Sequence, residues 1–242
     1  MDDFNGVLAD IEDEIQLMLL NVPAVDSNVK SEYQNIQYEL LGIYKEYSQS
    51  YSVLKDYVKN NTTRVEYASG GEGLHRGYYC PSPIIDKLLG NVKRGKLLKR
   101  LTSRSKNYYK YLYDLNNSMV GIEIYYDRSL NESEYVIHTA SGTVGVSFNE
   151  MWKNITFTSM VKMTDNRITL YATLLPDFVT GKQHHFIHVE KYHYDGVGMC
   201  GATICWEGIP ELSLLTEENY RFNRDEHGNI TGYWSDEEYY NW

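Results

Sequence analysis

The residues best suited to chemistry lie between 184 and 193, where His184, His185, His188 and His193 surround Glu190. Imidazole and carboxylate groups ligate zinc or iron. On a strand, alternation sends His184, His188 and Glu190 to one face and His185 and His193 to the other. Four steps along a strand cover about 13 Å, so His184 and His188 are too far apart to share one ion. His188 and Glu190 are close enough, but only if another element adds ligands, and a polar sheet face explains the cluster more simply. The thiols are Cys80, Cys200 and Cys205. Cys80 stands in a loop before Pro81, whereas Cys200 and Cys205 sit in a strand-like GMCGATICW that reads as core. No flanking sequence marks a nucleophile. A metal- or cysteine-dependent hydrolase would therefore rest on His184, His188, Glu190 or Cys80. The acid pairs Asp225/Glu226 and Glu237/Glu238 fall in a turn and in the tail, which makes them solvated charge rather than a general acid–base pair. Gly70-Gly71-Glu72-Gly73 has the glycines of a phosphate loop without its Lys-Ser/Thr ending, and reads as a connector. None of these is a catalytic motif. We expect neither an enzyme nor a cofactor.

Charge says more. The chain carries a formal −10, yet Lys93, Arg94, Lys96, Lys99, Arg100, Arg104, Lys106 and Lys110 follow one another with no acid between them. Residues 1–59 hold eleven acids against four lysines, and residues 207–242 hold nine acids against two arginines. Acidic surfaces repel nucleic acid and attract basic protein surfaces through fast, salt-sensitive association. The basic strip itself suits either internal docking on the acidic segments or, as an alternative function, nucleic acid held by Lys96, Lys99, Arg100 and Arg104. No RNP, zinc-finger or helix-turn-helix pattern supports that alternative. No apolar window approaches 18 residues, so no membrane partner is expected. The opening Asp2-Asp3 has no basic n-region, and three cysteines without a CxxC pair suit a reducing compartment. The expected location is cytoplasmic.

Two periodicities place these groups. Phe4, Val7, Leu8, Ile11, Ile15, Met18 and Leu19 recur at helical steps, and so do Ile36, Leu40, Ile43, Tyr47, Tyr51, Leu54 and Val58. This predicts an antiparallel helical hairpin over 1–59, its second arm a single helix from 27 to 59 whose tyrosines pack on the sheet. Residues 60–107 read as loop and short basic helices, with Leu97, Leu98 and Leu101 on the apolar side of one turn. From 108 to 242 the period is two. Five hairpins are expected: 109–113 with 120–125, 134–139 with 143–148, 156–163 with 167–174, 186–194 with 199–206, and 220–224 with 230–234. The fold class is α+β, with helices packed on or beside an antiparallel meander that is either a curved sheet or a partial barrel. The first and last hairpins also match at an offset of 111 residues, aromatic–basic–aromatic followed by a turn Asp.

The Tyr111–Asn117 hairpin has the form Tyr-x-Tyr-Asp-x-Asn-Asn. With the acidity and the abundance of tyrosine, it resembles the cytoplasmic immunity proteins that accompany bacterial polymorphic toxins. That resemblance implies a non-enzymatic inhibitor that occludes the basic cleft of a toxin. The partner-binding surface expected on this reading is Asp225, Glu226, Tyr233, Trp234, Asp236, Glu237, Glu238 and Tyr240, which joins aromatic anchors to acids.

Overall fold

Thirteen antiparallel strands form one open sheet in the computed structural model, which describes residues 27–71, 76–85, 94–176, 185–207, 215–235 and 238–241. Two helices precede it, α1 (Ser27–Tyr47) and α2 (Tyr51–Asn61). The strands are β1 (Arg64–Ser69), β2 (Lys96–Leu98), β3 (Tyr108–Tyr113), β4 (Met119–Tyr126), β5 (Ser129–Thr139), β6 (Gly142–Asn149), β7 (Ile155–Thr164), β8 (Arg167–Pro176), β9 (His185–Tyr194), β10 (Met199–Glu207), β11 (Leu215–Arg224), β12 (Ile230–Ser235) and β13 (Glu238–Asn241). From β3 to β13 each strand lies beside its sequence neighbour, and β1 then β2 extend the sheet beyond β3. The sheet does not close into a barrel. Among the described residues, β2 and β13 are its edges.

All five expected hairpins are present, and their turns explain why. Asp114 Oδ1 accepts the Asn116 and Ser118 amides, and Asp225 Oδ1 accepts those of His227 and Asn229, each at 2.8–2.9 Å. The fourth turn residue is left-handed in both, Asn117 at φ 63 and Gly228 at φ 80, a conformation Asn and Gly adopt at little cost. The match between the two hairpins is therefore shared turn chemistry.

The helical stripe packs on one face of the sheet. Tyr33, Ile36 and Leu40 meet Met160, Leu170, Ala172, Leu174, Ile187 and Val189. Val58, with Tyr47, Tyr51 and Leu54 beside it, meets a second cluster around Val146 and Phe148. Each fully buried side chain of this size contributes about 1.5–3 kcal/mol. The stripe is carried by two helices rather than the single helix expected over 27–59. Ser48 Oγ donates to the Lys45 carbonyl at 2.9 Å and the Ser50 amide to that of Tyr47 at 2.9 Å, so the serines draw the backbone out of its ladder. The break turns the chain across a twisting sheet, from β6–β8 under α1 to β5 under α2. The arm expected over 4–19 lies outside the described residues.

Two further expectations give way. Arg64–Ser69, read as loop, is strand β1, paired with β3 from Ala68↔Tyr109 to Arg64↔Tyr113. Lys96–Leu98, read as part of a basic helical turn, is strand β2, paired Ser69↔Lys96 to Tyr67↔Leu98. An unpaired sheet edge offers backbone partners that outweigh a three-residue helical preference.

Candidate functional site

The face opposite the helices is crossed by residues 76–85, a strap between β1 and β2. Gly71 lets it pass: at φ 91, a Cβ there would lie 2.6 Å from the Gly77 carbonyl oxygen. Tyr111 then pins the strap, donating to the Arg76 carbonyl at 2.6 Å and accepting the Tyr78 amide at 2.7 Å. Tyr79 donates to Glu66 at 2.8 Å. Ile84 inserts between Val161, Tyr171, Tyr192 and Ile204.

Two buried carboxylates receive the strap. Arg76 Nε lies 2.8 Å from Glu134 Oε2, and its Nη2 donates to Ser159 Oγ at 2.6 Å. Gly145 makes the room, because a Cβ there would strike the Glu134 carboxylate and Ser159 Oγ. Glu134 Oε1 has no hydrogen-bond partner among the described residues. Burial drives the Glu134 carboxyl up, Arg76 only partly reverses this, and it settles at about 7. Six residues further along the strap from Arg76, Ser82 Oγ donates to Glu190 at 2.7 Å; Glu190 also accepts Tyr192 OH at 2.5 Å and faces His188 Nε2 at 2.8 Å.

The structure thus brings the sequence candidates Cys80, His188 and Glu190 to one region. Their state does not suit nucleophilic catalysis. Burial pushes the Cys80 thiol up to about 11, so it is protonated near neutrality. The Ser82 hydroxyl is fully buried, bonded to Glu190, and accepts the Ile84 and Ile85 amides at 3.3 and 3.0 Å. His193 lies on the helix face against Thr203 at 2.9 Å, and Cys205 is in the helix-side core. His184 and the His185 side chain lie outside the described residues. Among the described residues, no three His, Cys, Asp or Glu side chains are grouped closely enough to hold a metal ion. The arrangement fastens a strap. Arg76, Glu134 and Ser82 carried no sequence signal, because nothing local tells that a loop will reach those strands.

The expected partner-binding residues divide. Asp225 is spent on its own turn, also accepting Asn229 Nδ2 at 2.9 Å, while Glu226 stands exposed at the tip. Register Phe222↔Tyr233 and Arg221↔Trp234 puts Tyr233 on the strap face and Trp234 on the helix face. Trp234 there meets Tyr239 at 5.1 Å between ring centroids and lies under Arg221 at 5.4 Å. On the strap face Tyr220, Tyr233 and Tyr240 form a ladder, with centroids 5.5 and 4.9 Å apart. Carboxylates flank it: Tyr220 OH donates to Glu218, and Tyr240 OH to Glu238 at 2.7 Å. Asp236 and Glu237 lie outside the described residues. Tyr220 and Glu218 were missed, although alternation along β11 places them beside Phe222.

The basic strip is at the other end of the sheet. Lys96 lies on edge strand β2, Lys99 and Arg100 follow it, Arg104 is in the next turn, and all four are exposed. Lys106 faces Asp127 at 3.4 Å and Lys110 faces Glu123 at 2.8 Å, so part of the strip docks internally, but on β4 and its turn rather than on the acidic end strands.

Compared with known proteins, the chain matches no family model and no curated protein. No helix among the described residues is long and apolar enough to cross a membrane.

Proposed function

We propose that this chain is a non-enzymatic protein-binding module, an inhibitor of the immunity type, whose strap face over β11–β13 covers a basic surface of its partner. The ladder Tyr220–Tyr233–Tyr240 with Glu218 and Glu238 carries this reading. Tyrosine rings take Lys and Arg cations over their faces, and adjacent carboxylates select for those cations. The hydroxyl–carboxylate bonds hold these side chains in place before binding, so little side-chain entropy is left to lose. The neighbouring apolar contacts exclude water from such anchors.

The test is capture by the full chain from the source cell at low and high salt, using wild type, Tyr233→Ala and Glu218→Lys. We expect the wild type to retain a stoichiometric basic protein that high salt weakens and both variants lose, with thermal melts close to wild type. Retention by both variants, or no protein partner, overturns the reading.

A further inference from the structure

We infer that copies of this chain join edge to edge, strand β2 of one copy continuing the sheet beyond strand β13 of the next. This does not rest on the partner reading above; Tyr240 and Glu238 belong to both surfaces, and reversal of Lys96, Lys99 and Arg100 at the other end of the sheet tests it separately. Three observations carry it. The sheet is open, so β2 and β13 each present one row of backbone N–H and C=O groups that no strand among the described residues pairs. Such rows template the addition of another strand.

The two edges also carry opposite charge. Lys96, Lys99, Arg100 and Arg104 lie exposed along the β2 side, and none of them forms an ion pair with another described residue. The β13 side carries Glu238, in the acidic C-terminal segment where residues 207–242 hold nine acids against two arginines. Like edges repel: β2 against β2 would oppose lysine to lysine, and β13 against β13 acid to acid. Charges of this kind are how proteins keep sheet edges from pairing, but here they block only the symmetric contacts. The β2–β13 contact is the one they favour. Alternation puts Lys96 on the helix face and Glu238, two residues from Tyr240, on the strap face, so the attraction is between the charges of the two edges as a whole rather than one ion pair.

The third observation is apolar. Leu97 pairs with Ala68, whose side chain belongs to the strap-face cluster, and Leu97 is 44% exposed. Tyr240 pairs with Tyr233 on the strap face and is 42% exposed. A β2–β13 junction that keeps the strap face continuous sets these side chains together. The contact is heterologous, so it builds open chains of copies unless the angle between them closes a ring.

Sedimentation velocity on the full chain tests this. At low salt the weight-average mass should rise with concentration, and at high salt it should return to that of one chain. Lys96→Glu/Lys99→Glu/Arg100→Glu and, separately, Glu238→Lys should each be monomeric alone. Mixed, they should associate again, since each supplies the edge charge the other has lost, and a misfolded variant would give no such rescue. A wild type that is monomeric at every concentration in low salt overturns the proposal. So does association that survives both charge reversals. A chain that stays monomeric while its β2 edge binds a single-stranded oligonucleotide overturns it in favour of nucleic acid.

Discussion

On the helix side, α1 reaches the middle of the sheet through Tyr33, Ile36 and Leu40, and its ion pairs, Glu32–Lys191 and Glu39–Lys162, lie at the rim with partly exposed side chains. On the strap side the charges are in the middle. Glu134 and Glu190 are 2% and 0% exposed and take Arg76, Ser82, Tyr192 and His188. Length explains the difference. A helix of 21 residues presents an apolar side chain every third or fourth position and covers several strands. A ten-residue strap offers few apolar side chains, Ile84 and Ile85 chief among them, and needs directional bonds to hold its place. The helix side should therefore respond to volume, and the strap side to protons.

The largest expected effect is on the strap side. Arg76→Ala leaves Glu134 buried without its cation, which costs about 3–5 kcal/mol while the carboxyl is charged. The cost should shrink as pH falls, because a carboxyl that has taken a proton needs no counter-charge. Urea unfolding at alkaline and mildly acidic pH measures both. Equal costs would mean that Arg76 acts by packing over Phe157, whose ring centroid is 5.4 Å away. Leu40→Ala, at a side chain with no exposure, should cost about 2–5 kcal/mol at either pH. A pH-dependent loss there would break the contrast.

Glu134→Gln sharpens it. Burial raises the Glu134 carboxyl from its ordinary 4.5 to about 7. Between those values the folded chain holds a proton that the unfolded chain has lost, so stability is greatest below 4.5 and falls as pH rises to 7. The fall is on the order of 3 kcal/mol at 1.36 kcal/mol per pKa unit. In Glu134→Gln that slope should vanish from urea melts across the window. A slope left intact would assign the titration elsewhere.

The sequence announced what local chemistry determines. Asp114, Ser141-Gly142, Asp165-Asn166, Asp195-Gly196 and Asp225 mark turns between alternating segments, so all five hairpins could be read. β1 pairs with β3 across about forty residues and has no turn to announce it, while β2 is too short to show a period. Alternation also placed His188 and Glu190 on one face correctly. What it could not supply was the strap: Ser82 lies 108 residues from Glu190, and Arg76 lies 83 from Ser159. The split of Tyr233 from Trp234 was legible from alternation alone. The ladder partner Tyr220 required the register of β11 on β12.

The smallest effect is expected from Tyr51→Phe, at a polar tie on the helix side. Tyr51 OH donates to Glu150 Oε2 at 2.5 Å, joining α2 to the β6–β7 turn, whose Met151 and Trp152 are held out 77% and 73% exposed. Burial pushes the Glu150 carboxyl up, but hydrogen bonds from Lys153, Ser133, Tyr51 and Lys55 outweigh it and hold it at about 2. Its sign is opposite to that of Glu134: stability is present above 4.5 and is lost as pH falls toward 2. Three donors remain after Tyr51→Phe, so the loss near neutrality should be about 1–2 kcal/mol, with the Glu150 carboxyl moving up in an NMR titration. The two carboxylates differ because Glu150 is bonded on both oxygens at the edge of water, whereas Glu134 is sealed in with one oxygen that no described residue pairs. Should Tyr51→Phe cost as much as Leu40→Ala, the helix side would depend on a polar tie after all, and the two faces would differ in geometry but not in kind.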